Sequence, residues 1–182
     1  MFVGRKKELE ILNRLYTSKK FEMLVLYGRR RIGKTSLLTE FCKDKEHIFF
    51  SAQQVNAAQN LQRLSILINK YFQNDYSGTF NSFEDSINSI CSEIDNSKRF
   101  LLVIDEFPYL ANSDKSIPSI LQHLIDHKLK NLNIMLVLCG SSIAFMEDKV
   151  LGSKSPLFGR RTFQLELQEL NIYESKQMFK QY

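Results

Sequence analysis

Within the stretch YGRRRIGKTS, four residues have the types and spacing to hold a phosphate. Gly28, Gly33, Lys34 and Thr35 satisfy G-x-x-x-x-G-K-[ST]. Where a strand turns sharply into a helix, several backbone N–H groups point into one concavity, and the helix N-terminus adds a positive partial charge. Glycine at positions 28 and 33 permits the backbone angles and the close approach that side chains would block. Lys34 has the reach for the β- and γ-phosphates, and Thr35 offers a hydroxyl to Mg²⁺. The expected nucleotide-binding segment is therefore Gly28, Arg29, Arg30, Arg31, Ile32, Gly33, Lys34, Thr35 and Ser36. Its three arginines occupy variable positions. Their side chains are expected to face solvent or a partner and raise the local positive potential, while the backbone does the binding.

A second constellation lies in RFLLVIDEFPYL, an apolar run that closes on two adjacent carboxylates. Asp105 at the end of such a strand suits the Mg²⁺ shell, the Walker B role. Glu106 suits the orientation and deprotonation of a water for in-line attack on a γ-phosphate. Adjacent acids favour hydrolysis over transfer to a small acceptor, because a kinase must avoid activating water; a nucleoside or small-molecule kinase is the weaker reading. Pro108 is expected to end the strand. IMLVLCGSS finishes in Ser141 and Ser142, either of which suits a hydrogen bond to the γ-phosphate or the attacking water, or a simple helix cap. Arg160 and Arg161 precede the last apolar stretch. A guanidinium there would stabilise transition-state charge on its own nucleotide or a neighbour's. His123 and His127 share a helical face, but Leu124 stands where H-E-x-x-H needs its Glu and no third ligand is in view, so they read as surface histidines. Cys139 reads as a packed thiol.

The elements that must position these groups are legible as hydrophobic patterns. Residues 23–27, 47–51, 100–104 and 134–139 are short, nearly continuous apolar runs, the mark of strands buried on both faces. Residues 162–167 alternate and give a weaker fifth strand. Helical faces separate them: Leu9, Leu12, Leu15 and Tyr16; Leu61, Leu64, Ile68 and Tyr71; Phe83, Ile87, Ile90, Cys91 and Ile94; Ile117, Ile120, Leu121 and Leu124. Ser82, with Asp85 three places on, makes a cap-like start for the third, and Pro118 is tolerated in the first turn of the fourth. Alternation of strand and helix implies right-handed crossovers and a parallel sheet covered on both faces, with ligands at the carboxyl ends of the strands.

The chain of 182 residues fits one domain of ordinary size. A hydrophobic fraction of 43% with 25% charged residues fits a globular fold rather than a disordered one. No apolar stretch approaches the roughly 18 to 20 residues of a membrane helix, and the start lacks the apolar core of a secretory signal. Three scattered cysteines make neither a disulfide framework nor a zinc set, which points to a reducing, cytoplasmic location. A net charge of +5 suits a nucleic-acid or nucleotide partner, or simply a solvated lysine-rich surface.

In order, FVGRKKELEIL, YGRRRIGKTSLL, LLVIDEFPYL, VLCGSS and SPLFGRRTFQLEL resemble the archaeal-type ATPases, an AAA-like family in the STAND branch of P-loop ATPases. The resemblance implies a three-layer α/β/α sandwich around a parallel five-stranded sheet of order 5-1-4-3-2. It implies ATP as the nucleotide, with Mg²⁺, and places Val3, Gly4 and Arg5 near adenine and ribose. It sets Arg160 at the arginine-finger position, catalytic beside Lys34 and Glu106, in cis or supplied in trans within a homo-oligomer. Residues 1–170 then form the ATPase domain. Residues 171–182, opened by Asn171-Ile172-Tyr173-Glu174, begin a helical lid, with any DNA contact carried by regions further on. The expected function is ATP binding and Mg²⁺-dependent hydrolysis coupled to a conformational change of a partner or oligomer, with a nucleotide-gated signalling or DNA-associated switch of negligible turnover as the alternative.

Overall fold

The computed structural model describes residues 4–74, 78–170 and 176. Five strands form one parallel sheet: β1 (Glu22–Tyr27), β2 (His47–Ser51), β3 (Phe100–Asp105), β4 (Ile134–Gly140) and β5 (Phe163–Glu166). Their spatial order is β2-β3-β4-β1-β5, the expected 5-1-4-3-2 read from the opposite edge. The register aligns the carboxyl ends, with Tyr27 beside Gly140 and Glu166, and Ser51 beside Asp105. Every residue of β1, β3 and β4 is buried. That is why these three runs show continuous rather than alternating hydrophobicity.

Helices cover both faces. On one side, α1 (Lys6–Tyr16) and α2 (Lys34–Cys42) bring Leu12, Leu15, Leu37, Leu38 and Phe41 against Leu24 and Leu26 of β1, Val103 of β3 and Val137 of β4. On the other, α3 (Ala57–Phe72), α4 (Phe83–Glu93), α5 (Phe107–Ser113) and α6 (Ile117–His127) bury Leu64, Ile68, Ile87, Ile90, Phe107, Leu121 and Leu124 against Val25, Leu102, Ile104 and Leu136. Alternate residues of each central strand go to opposite layers, as the two-residue period of a strand requires. The cap before α4 forms as read: the Asp85 amide donates to Ser82 Oγ at 3.0 Å. After β4, a short helical turn, α7 (Ile143–Phe145), widens into a π-helical stretch over Met146–Leu151.

Pro108 needs a correction. The strand ends at Asp105, and Pro108 sits in the first turn of α5, where its missing N–H costs nothing. No helix among the described residues is long and apolar enough to cross a membrane. The expected lid over 171–182 and Val3 lie outside the described residues, Lys176 excepted.

Candidate functional site

Three strand ends and one helix start converge at the carboxyl edge of the sheet. The loop between β1 and α2 turns through left-handed backbone at Gly28 (φ 148°), Arg31 (φ 65°) and Gly33 (φ 92°). Gly28 is required twice over. A Cβ there would collide with the Leu167 carbonyl oxygen and lie 2.7 Å from Ile32 Cδ1. Gly33 is the residue before α2 and gives it no side-chain cap, which leaves the first amides of the helix to a ligand. Lys34 is buried at 6% exposure. Its Nζ donates to the carbonyls of Gly28 (2.8 Å) and Arg29 (2.6 Å). Burial lowers the Lys34 pKa, and the nearby acids Glu106 and Asp105 oppose that shift.

Thr35, one residue on, donates through Oγ1 to Asp105 Oδ2 at 2.9 Å. Asp105 is 2% exposed, and its other oxygen, Oδ1, accepts from the Glu106 amide at 3.0 Å. A carboxylate so buried needs such partners. Glu106 joins β3 to α5 in the left-handed region, φ 52° and ψ 43°. There its Oε2 accepts from the Ser141 hydroxyl at 2.9 Å. The structure thus separates the two serines: Ser141 reaches Glu106, while Ser142 makes no side-chain cap on α7. Gly33, Lys34, Thr35, Glu106 and Ser141, with Arg30 and Arg31, line a cleft of about 370 Å³. Ser36 lines it too.

The arginines divide. Arg30 Nη2 donates to the Tyr109 hydroxyl at 2.6 Å and so ties the loop to α5. Arg29 lies exposed, with a loose 3.6 Å pair to an equally exposed Glu169, and Arg31 is exposed. On the far side of the loop, Arg29, Ile32, Leu167, Gln168 and Glu169 help line a second cleft of about 440 Å³. Gly4 is half-buried in left-handed backbone. Arg5 does not line either cleft. Its Nη2 donates to the carbonyls of Ile32 (2.9 Å) and Gln168 (2.6 Å), and its Nη1 pairs with Glu8 at 3.0 Å. Both of those carbonyls belong to residues that line the second cleft.

Arg160 is likewise not brought to the phosphate loop. Its Nε lies 3.1 Å from both oxygens of Asp126 on α6, its Nη2 lies 2.5 Å from Oδ2, and its Nη1 donates to the carbonyls of Pro156 and Phe158. The hydrogen bonds from Arg160, with help from Lys130, hold the Asp126 carboxyl down at about 2. Arg161 places its guanidinium carbon 6.0 Å over the ring of the exposed Phe158. His123 and His127 are exposed with ring centres 4.4 Å apart, and no cluster of three metal-ligating side chains exists among the described residues. Cys139 is fully buried, and burial first, then Asp105 beside it, raises its thiol pKa well above the ordinary value.

Sequence spacing does not point to Tyr109, Asp126 or Gln168. Each meets its partner across 34 to 163 positions of chain, and no helical or strand period encodes such a contact.

Residues 2–182 match a family described as an ATPase domain predominantly from Archaea. The chain belongs to this family. Uncharacterized protein MJECL04 of Methanocaldococcus jannaschii is 36% identical over 182 residues, which cover 98% of this chain and 38% of that protein. Among solved structures, the Walker-type ATPase PABY2304 of Pyrococcus abyssi superposes with a TM-score of 0.75 at 19% identity, over 99% of this chain and 57% of its own. The Aeropyrum pernix ORC1 protein, solved in complex with DNA, gives 0.72 at 15% identity, over 100% and 49%. These two likenesses establish the fold. The chain therefore spans less than two fifths of that relative and about half of those structures.

Proposed function

We propose that this domain binds ATP with Mg²⁺ and hydrolyses it, coupling nucleotide state to the conformation of a partner or oligomer. One observation carries the reading: Thr35 Oγ1 and Asp105 Oδ2 meet at 2.9 Å where the phosphate loop enters α2. Two hard oxygen donors, one a buried carboxylate, fit a magnesium ion, which Thr35 and Asp105 would hold. Bound there, Mg²⁺ would neutralise charge across the β- and γ-oxygens. Gly28 to Ser36 would cradle the phosphates through backbone amides, with Lys34 turning its ammonium from the loop carbonyls to the β- and γ-oxygens. Glu106 would accept the proton of the attacking water, and the Ser141 hydroxyl would keep that carboxylate aimed into the cleft. Ile32 and Leu167 offer apolar contact to a base in the second cleft, where adenine would sit.

Lys34→Ala tests this reading directly. Loss of a charge-assisted contact to phosphate is expected to weaken MgATP binding about 10- to 100-fold by calorimetry. Unchanged affinity would remove the phosphate loop from function.

The tie between Arg160 and Asp126 supports a second reading, a nucleotide-gated switch with little turnover in the isolated domain. In that reading a homo-oligomer, in the cytoplasm, draws Arg160 off Asp126 and supplies it in trans, and DNA engagement belongs to regions outside this chain. Turnover per molecule that rises steeply with protein concentration indicates sites shared between copies. Turnover independent of concentration indicates a self-sufficient site.

A further inference from the structure

Arg5 is 5% exposed and stands in left-handed backbone at φ 61°. A charged side chain so buried must have its donors used. One amino group, Nη2, has two hydrogens and two carbonyl partners that are remote from each other in sequence. Ile32 lies inside the phosphate loop, and Gln168 lies just beyond β5. Glu8 on α1 holds the other amino group at 3.0 Å and fixes the plane of the guanidinium. Arg5 is thus a bridge between loop and sheet exit, anchored on α1.

Two further contacts join the same pieces. The Leu167 amide donates to the Tyr27 carbonyl at 2.7 Å, at the root of the loop. The Leu167 carbonyl lies so close to Gly28 that no side chain fits between them. Backbone packed this tightly does not deform continuously, so a shift on one side is passed to the other.

We infer that Arg5 is a positioning residue that makes the phosphate loop and the chain leaving β5 respond as one body. A nucleotide seated on residues 28–36 therefore changes the state of residues 167–170. This rests on the nucleotide reading above and extends it, because it names the path by which occupancy leaves the site. The bridge reaches the loop at its backbone. It acts through the Ile32 carbonyl, and its effect is a coupling rather than a binding contribution.

Hydrogen exchange on the purified protein, with and without MgADP, tests the inference. In the wild type, MgADP is expected to slow exchange in both 28–36 and 167–170. In Arg5→Gln, which is neutral and too short to span both carbonyls, slowing is expected to persist in 28–36 and to fall about tenfold in 167–170. A role confined to holding the fold together would weaken protection throughout without separating the two segments. Equal responses of 167–170 in Arg5→Gln and wild type overturn the inference. So does a wild type in which 28–36 responds and 167–170 does not. A wild type in which neither segment responds overturns the nucleotide reading, and the inference with it. If Arg5→Gln does not fold, Glu8→Gln loosens the anchor while leaving the bridge, and a severalfold smaller response in 167–170 is expected. An unchanged response there overturns the inference in the same way.

Discussion

The phosphate-loop cleft and the corner around Arg160 contrast in how their charged groups are used. In the cleft, Thr35, Asp105, Glu106 and Ser141 form a chain of hydrogen bonds whose last carboxylate lines open space. At the corner, Arg160 directs its donors into Asp126 and two backbone carbonyls. The two places share polar residue types at strand ends and differ in satisfaction. A group with capacity left over can meet a ligand, whereas a group whose capacity is used holds the protein to itself. Charged residues near a strand end are therefore sorted by their partners, not by their position.

The contrast breaks most visibly at Glu106. Glu106→Gln is expected to keep MgATP binding within about twofold and to lower turnover by 10² to 10⁴. Wild-type turnover in that variant would leave the cleft no more reactive than the corner. Next in size is Ser141→Ala, which removes the donor to Glu106 Oε2. Turnover is expected to fall about five- to tenfold at unchanged nucleotide affinity, the value of one modest hydrogen bond. A parallel loss of affinity would show that Ser141 serves the ligand rather than Glu106.

The smallest effects belong to the corner. Arg160→Ala and Asp126→Asn are each expected to lower stability by about 1 kcal/mol in denaturant titrations, because the pair is partly exposed. The double variant should lose little more than either alone. Full additivity would mean that the ion pair contributes nothing. The same pair gives a pH signature. The Asp126 carboxyl sits at about 2, well below its ordinary value, chiefly through its hydrogen bonds from Arg160. Its stabilisation is therefore complete above the unfolded carboxyl value near 4 and is lost as pH falls toward 2. In Asp126→Asn, acid unfolding should be flatter across that window.

Much of the architecture was legible because burial imposes patterns that short windows reveal. Continuous apolar runs marked β1, β3 and β4 to within a residue at each end, and the glycines and Lys34 marked the loop between β1 and α2. The helix after Glu106 was not legible: Pro108 signals a break as readily as a first turn, and only the packed Phe107 and Leu110 decide. Of the site, Lys34, Thr35, Asp105 and Glu106 were named from spacing, and the structure brings them together. The partners of Arg5 and Arg160 were not legible. Arg5 meets Gln168, 163 positions on, and Arg160 meets Asp126, 34 positions back. Ser141 and Ser142 were indistinguishable as adjacent letters, and the direction in which the chain leaves β4 separates them.

Glu106 stands in left-handed backbone that a residue bearing a Cβ occupies at a disadvantage of about 1 to 2 kcal/mol. Glycine would relax that hinge, so stability by itself favours a residue that has no acid to offer. The domain keeps a carboxylate where its own folding would choose none, and selection for ruggedness alone would be expected to erode this position, as it would Arg31 in the same cleft.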